Sequence, residues 1–248
     1  MSLQILVSGA SGAVGRTIIE VIESDEHLAV AGVASRGSFF EPDVEADVIV
    51  DFSHPELLER VMHFAARRHI PLVTGTTALG EQLQQELEAA ARQVAICQAA
   101  NFSIGVNLLV RLAAQATRAL GKEFDIEILE AHHRRKLDAP SGTALWLGQA
   151  VAGARGHSLD RLAVHDRSRQ RQARKPGEIG FQAIRGGDVA GEHTVFFLAD
   201  GERVELTHRA SDRRVFARGA LLAARRIIDR PAGLVDFSEL VLDSPGKV

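Results

Sequence analysis

Cysteine is almost missing from this chain: Cys97 stands alone in 248 residues, so no internal disulfide can form and a reducing compartment is expected. Long apolar runs are missing too, since none approaches the roughly 18 residues a spanning helix needs, and no membrane partner is expected. The opening MSLQILVSGASG lacks a basic region and meets glycine at Gly9, which is not the pattern of a signal peptide. Charge of one sign is not in excess. A net charge of -3 with pI about 6.4 by itself argues neither for nor against nucleic acid, and no motif below gives nucleic acid a role. Internal repeats and low-complexity segments are also lacking. These absences leave a cytoplasmic globular chain, whose 46% apolar and 25% charged residues can bury an ordinary core of one large domain or two modest ones.

What is present begins as strand alternating with helix. LQILVS (3–8) is a short apolar strand ending at glycines, and Val14, Ile18, Ile19 and Ile22 then recur at helical spacing. Further strands are expected over 28–35, 46–53, 71–77 and 94–103, with helices over 55–69 and 81–93 between them. That order implies a parallel sheet with helices on its faces. The texture changes after Asn101. A long helix (104–120), a half-exposed strand (124–133) and a helix (142–152) precede a polar stretch, HDRSRQRQARKPGE. Three short strands, within IGFQAIRGG, EHTVFFLA and RVELTHRAS, then suggest an antiparallel meander, and AARRII and the segment around Leu234 look helical. The fold class is α/β: an N-terminal Rossmann-type parallel-sheet domain, then an α+β domain with a mixed or antiparallel sheet.

Gly9, Gly12 and Gly15 lie between the first strand and first helix. In that place glycine lets backbone amides approach a pyrophosphate, whose charge the helix N-terminus favours. The second strand ends in Ser35-Arg36 rather than in the acid that would hold an NAD ribose. A hydroxyl beside a guanidinium suits a 2′-phosphate, which points to NADPH as the preferred cofactor with NADH possible. Gly75-Thr76-Thr77 and Ala99-Ala100-Asn101-Phe102 occupy strand C-termini, the edge where open α/β sheets bind ligands. Their small residues leave room for ribose and nicotinamide, with the Asn101 amide and the Phe102 ring available to fix a face.

EAHHRRKLDAPSGTALWLG (130–148) concentrates chemistry. It offers imidazoles at His132 and His133, an ammonium at Lys136 and a helix start at Pro140-Ser141. Ser141 is suited to cap that helix, leaving the amides of Gly142 and Thr143 for an anion. A small dicarboxylate would use all of these groups. Zinc is not expected, because adjacent histidines at a strand end point to opposite sides and no cysteine lies near in sequence. Arg134 and Arg135 read as solvated cations.

The same stretch resembles the signature of the 4-hydroxy-tetrahydrodipicolinate reductase family, E-x-H-H-x-x-K-x-D-x-P-S-G-T-A, matched from Glu130 through Ala144. The resemblance extends to the glycine loop, DFSHPE (51–56), GTT (75–77), AANFSIGVN, IGFQAIRGGDVAGEHTV (179–195) and THRAS (207–211). It implies a homotetramer of two-domain subunits. A dinucleotide-binding domain, 1–103, would be completed by a returning segment, 214–248, and 104–213 would bind substrate and build the tetramer. The resemblance also implies that His132 is the acid/base and Lys136 the proton donor, with His133, Lys136, Gly142 and Thr143 holding substrate carboxylates. Gly9, Ala10, Ser11, Gly12, Ala13, Val14, Ser35, Arg36, Gly75, Thr76, Thr77, Ala99, Ala100, Asn101 and Phe102 would be the cofactor contacts.

The reaction implied is hydride transfer from the cofactor to a cyclic unsaturated imine dicarboxylate in the diaminopimelate route to lysine. Lys136 and His132 are the candidates to supply the proton. Some positions depart from the family pattern. Ala78 stands where glycine is common, Val14 where methionine is frequent, and Ser35 where many members carry an acid. The chain between Arg36 and Asp47 is short, and the Arg-rich loop 167–175 is unusually basic, which suggests a mobile segment closing over the substrate or a solvated loop. Another NADP-dependent imine or semialdehyde reductase and a cofactor sensor are the alternatives. A cysteine nucleophile of the semialdehyde-dehydrogenase kind is not expected, because Cys97 falls within a strand, and a sensor would need neither His132 nor Lys136.

Overall fold

The computed structural model describes residues 2–168 and 171–243. They form two compact units: Met1–Ile104 with Arg213–Val248, and Gly105–Asp212. In chain order the elements are β1 (Leu3–Ser8), α1 (Ala13–Glu23), β2 (Leu28–Ala34), β3 (Val48–Asp51), α2 (Pro55–Arg68), β4 (Leu72–Thr74), α3 (Glu81–Ala91) and β5 (Ala95–Gln98). There follow α4 (Ile104–Leu120), β6 (Asp125–His132), α5 (Gly142–Ala154), a 3-10 turn (Leu159–Arg161), β7 (Ala163–Val164), β8 (Ile179–Arg185), β9 (Gly191–Ala199) and β10 (Glu202–Ala210). Last come α6 (Arg214–Ile227), β11 (Gly233–Val235) and a π-helical turn (Glu239–Asp243).

The first unit is a six-stranded parallel sheet in the order β11-β5-β4-β3-β1-β2. Its four inner strands are short and mostly buried, β3 completely, as a sheet covered by helices on both sides requires, while the edge strands β2 and β11 are partly exposed. Alternation along the strands divides the core in two. Ile5, Val7, Val50, Val73 and Cys97 pack with α1 and α6, while Leu6, Ile49, Leu72 and Ile96 pack with α2 and α3. Full burial of one such side chain is worth about 1.5–3 kcal/mol. Burial, reinforced by the charge of Asp236, pushes the Cys97 thiol up to about 12, so it is no nucleophile. Helix α2 starts on Pro55 with His54 as its cap, the Leu57 N–H donating to His54 Nδ1 at 3.2 Å. It stops at His69, whose φ of 52° is left-handed.

The second unit is a mixed sheet in the order β10-β9-β6-β8-β7, with α4 and α5 packed on one face through Leu109, Ala113, Leu147 and Val151 against Ile126, Ile128, Val195 and Phe197. The expected meander is corrected here. β9 and β10 form a hairpin, but β8 pairs in parallel with β6, which lies between β8 and β9. The link from β8 to β9 is as short as a hairpin loop yet crosses the end of a third strand. It is held there by Gly186 N–H donating to His132 O (3.0 Å) and Arg134 N–H to Gly187 O (3.3 Å). The segment around Leu234 is strand β11 rather than helix, because so short an apolar run has no period to read and β5 offers it an open edge. β4 ends at Thr74 and β5 at Gln98, so Gly75–Thr77 and Ala99–Ser103 are loops beyond the strands.

Candidate active site

In the first unit the glycine loop joins the C-terminal end of β1 to α1. Gly9 has φ +80°, and a Cβ there would lie 2.2 Å from Phe52 O; one on Gly15 would lie 2.2 Å from Gly9 O. Close backbone approach therefore demands both glycines. The amides of Gly9 and Ala10 donate to Ala34 O (3.0 and 3.2 Å), and that of Gly12 to Gly9 O (2.9 Å). Ala13 and Val14, the first residues of α1, have amides with no partner inside a helix. No acid occupies that first turn, so the helix end keeps its positive potential.

Ser35 and Ser38 close a tight turn through reciprocal backbone bonds (3.1 and 3.3 Å) and a 3.1 Å hydroxyl contact, leaving Arg36 exposed at the tip. Arg36 lines a 350 Å³ cavity with His54, Glu56, Leu57 and Arg60. The Arg60 guanidinium stands 4.4 Å from the centre of the Phe39 ring. His54 and Arg60 were not among the expected cofactor residues, and both come from the α2 end that packs beside this turn.

The next two loops are tied by Asp51, a fully buried residue at the end of β3. Thr74 Oγ1 and Thr76 Oγ1 donate to its Oδ2 at 2.9 and 2.6 Å, Ser53 Oγ donates to Oδ1 at 2.6 Å, and Ser53 N–H reaches Thr76 Oγ1 at 3.0 Å. Thr76 therefore turns inward, and Thr77 and the loop backbone remain accessible. Ala78 is held at φ 58°, the left-handed geometry that favours glycine. Asn101 Oδ1 accepts the Ser103 N–H at 2.8 Å, fixing the entry to α4, while Ala99 is half-buried and Ala100 exposed. The expected role of the Phe102 ring needs correction. It is 1% exposed, packed between Phe52 and Phe237 at 5.3 and 4.8 Å, because the core claimed the largest apolar group in the loop.

In the second unit the chemistry gathers where β6 ends. His132 is its last residue, and His132 Nδ1 lies 2.6 Å from Glu130 Oε2. Glu130 is 1% exposed and receives Arg185 through a two-pronged bond of 2.7 and 2.6 Å, plus the Ser141 N–H at 3.1 Å. Burial alone would raise the Glu130 carboxyl. The hydrogen bonds from Arg185 and His132 outweigh it and hold the group below its ordinary range. With Nδ1–H donated to this carboxylate, His132 presents Nε2 for proton exchange. Gly191 keeps that nitrogen uncrowded, since a Cβ there would stand 3.2 Å from it.

Half-buried His133 follows, and the Lys136 N–H donates to its carbonyl at 3.1 Å, turning the chain back. Lys136 Nζ rests 2.9 Å from Asp138 Oδ1; that bond holds the Asp138 carboxyl below its ordinary range. Ser141 caps α5 as expected, its Oγ accepting the Ala144 N–H at 3.2 Å. Gly142 and Thr143 open a helix whose first turn carries no acid.

Behind this group stands His193 of β9, with Nε2 3.2 Å from Ser141 Oγ and its ring edge-on to His132 at 5.2 Å. Burial first, then the nearby His132 charge, pushes His193 down to about 4, so it stays neutral. Glu130, Arg185 and His193 are the residues the sequence reading gave no role. Strand register joins them, Glu130 opposite His193 and His132 opposite Arg185. Glu130 stood inside the signature, but nothing local in sequence marks its two distant partners.

The basic loop also needs correction. Arg167 pairs with Glu127 and Glu178, both at 2.7 Å, and Arg174 with Asp125 and Glu127, at the end of β6 away from His132. These cations clamp the sheet instead of forming a free lid; residues 169 and 170 lie outside the described residues. A potential metal cluster, Glu59, His63 and Glu86, lies on α2 and α3 and includes none of the groups above.

With this geometry in view, the chain matches two family descriptions: "Dihydrodipicolinate reductase, N-terminus" over residues 3–102 and "Dihydrodipicolinate reductase, C-terminus" over 105–241. It is 46% identical to the 4-hydroxy-tetrahydrodipicolinate reductase of Halorhodospira halophila, covering 97% of this chain and 99% of that one. It is 41% identical to the protein of that name from Magnetococcus marinus over the same shares. A structure of dipicolinate-bound dihydrodipicolinate reductase from Paenisporosarcina sp. TG-14 superposes with a TM-score of 0.79, covering 98% of this chain and 100% of that one at 22% identity, a likeness in fold.

Proposed function

The chain belongs to the dihydrodipicolinate reductase family, and on that premise we propose that it reduces 4-hydroxy-tetrahydrodipicolinate to tetrahydrodipicolinate in the diaminopimelate route to lysine. It is an oxidoreductase of the nicotinamide-dependent kind. The observation that carries the reading for this chain is the Glu130-oriented His132, in the same segment as Lys136 and the acid-free N-terminus of α5. The residues of the first unit fit a dinucleotide: the loop's tight backbone approach, the acid-free start of α1 and the cations beside Ser35 each match one part of it. Bound there, the nicotinamide supplies hydride.

The second unit does the remaining work. Its Gly142 and Thr143 amides, with His133 and the Lys136 ammonium, hold the two substrate carboxylates. The 4-hydroxyl and a hydrogen of the neighbouring ring carbon leave as water, which makes the ring conjugated. Hydride addition at the carbon that lost the hydroxyl then requires one proton in return, and Lys136 Nζ and His132 Nε2 are the candidate donors. Glu130 keeps His132 in one tautomer and orientation, as a buried carboxylate does for a working imidazole. Lys136 must release Asp138 to meet the substrate, and an arriving carboxylate offers it an equivalent partner. The unit boundaries suit a dinucleotide domain, 1–103 closed by the 214–248 segment, and a substrate domain, 104–213, that self-associates as a homotetramer. Residues 244–248 fall outside the described part.

NADPH is the preferred reductant in this reading, because Arg36 and Arg60 both face the cavity beyond Ser35 while no acid ends β2. The test is loss of nicotinamide absorbance on adding substrate made in situ from aspartate semialdehyde and pyruvate. NADPH and NADH are run side by side. Substrate-dependent oxidation that vanishes in His132→Ala is expected. Arg36→Ala and Arg60→Ala should each raise KM for NADPH about tenfold, or about 1.4 kcal/mol, and leave NADH unchanged. NADPH binding without oxidation would remove the proposed reaction, and equal use of both cofactors would remove the preference.

A further inference from the structure

A second basic concavity lies within the Gly105–Asp212 unit, at the opposite end of α5 from Gly142. Helix α5 has 13 residues, which sets the two places about 20 Å apart along its axis. The cavity measures 490 Å³, within the range of sites that take small organic molecules. Arg118, Lys122 and Arg155 supply cations and His157 an imidazole, Leu162 and Pro176 supply apolar walls, and no lining residue among those described is an acid.

Arg155 is the informative member. Its Nη2 donates to Phe124 O at 2.6 Å and its Nη1 to Gly177 O at 3.3 Å, while Nε is buried with no partner. Those acceptors belong to other segments, so the side chain is not serving the carbonyls at the end of its own helix. Asp125, the acid whose charge favours it, is already bonded to Arg174, and the Arg174 charge opposes Arg155. A half-buried guanidinium without a carboxylate, set among two further cations and an imidazole, is an arrangement that an anion would complete.

We propose that this cavity binds a small organic anion, its acidic group among Arg118, Lys122, Arg155 and His157 and its apolar body against Leu162 and Pro176. The site is separate from the dicarboxylate site proposed above and uses none of its residues. Both charge and apolar surface are needed, so an aromatic carboxylate is the fitting ligand class and a bare inorganic anion a poor one.

The test is an amide NMR titration of the full chain with 1-naphthoate, with inorganic phosphate as the charge-only probe. Lys136→Ala is used as the background so that the first site does not compete. Naphthoate should shift the amides of Thr117–Lys122 and Ala154–Leu162, and bind at least about tenfold tighter than phosphate. Arg155 braces two segments and its loss risks unfolding, so the exposed pair Arg118→Glu with Lys122→Glu serves as the variant. It should weaken naphthoate about tenfold or more, while the same pair in the otherwise wild-type chain keeps kcat/KM for the reductase reaction. Shifts confined to Gly142–Thr143, equal affinity for phosphate, or affinity untouched by the charge reversal would each overturn the proposal. None of these results bears on whether the reductase reaction occurs.

Discussion

The two units build their candidate site edges by opposite means. The first uses backbone: amides at a helix start, glycines where two segments touch, and threonines tied down by one buried aspartate. The second uses side chains, with an imidazole, an ammonium and a guanidinium arranged around one buried glutamate. A backbone-built edge is vulnerable to added atoms and fails by misfolding. A side-chain-built edge is vulnerable to lost atoms and fails by losing chemistry while the fold persists.

That contrast breaks most readily at its extremes. Gly9→Ala forces a left-handed alanine with its Cβ against Phe52 O, and a loss of about 4 kcal/mol or more is expected in denaturant unfolding. Lys136→Ala should keep the wild-type Tm and lower kcat/KM about 10³-fold. An active Lys136→Ala, or a Gly9→Ala as stable as wild type, would end the distinction. A step smaller, Glu130→Gln leaves the Arg185 charge uncompensated, and about 3 kcal/mol of stability should go with it. It should also lower kcat/KM about tenfold or more, because His132 loses the carboxylate that fixes its ring. Loss of stability with an unchanged kcat/KM would make Glu130 a brace for Arg185 and nothing more.

His193 sharpens the comparison through pH. Its folded value of about 4 lies below the ordinary 6.5, so between those values the unfolded chain takes up a proton that the folded chain refuses. Stability is therefore complete above 6.5 and falls as pH drops toward 4, by about 2 kcal/mol at about pH 5. Thermal melts of His193→Gln should lack most of that slope, and an equal slope in both proteins would assign it elsewhere. The smallest effect belongs to the first unit. Ala78→Gly relieves a left-handed alanine and should raise stability by up to about 1 kcal/mol, read as a small rise in Tm.

Much of this was visible in one dimension, for identifiable reasons. The glycine loop, the Ser141 cap and the strand-helix alternation depend on neighbours a few positions apart, and local chemistry reports them. Glu130 meets Arg185 and His193 only through strand register, so their partnership has no local signature. Phe102 and Thr76 lie at the expected sheet edge, yet one ring and one hydroxyl face the interior, which burial decides and position in sequence does not. The basic loop misled because Arg167 and Arg174 find acids some 40 or more positions earlier. Leu234 and the supposed meander failed for lack of period, each being too short to declare its partner.

The return of α6 and β11 to the first sheet has a consequence for how the protein is made. Ala217, Ala220, Leu221, Ala224 and Ile227 cover the face that carries Ile5, Val7 and Val50, and β11 supplies an edge. While the ribosome is still translating the second unit, the nascent first unit can close fully only the face covered by α2 and α3, with α1 covering part of the other. Its other face stays greasy and open to chaperones until the codons beyond Arg213 have been read. A message cut short between the units would therefore release a sticky fragment, not a small working nucleotide-binding protein.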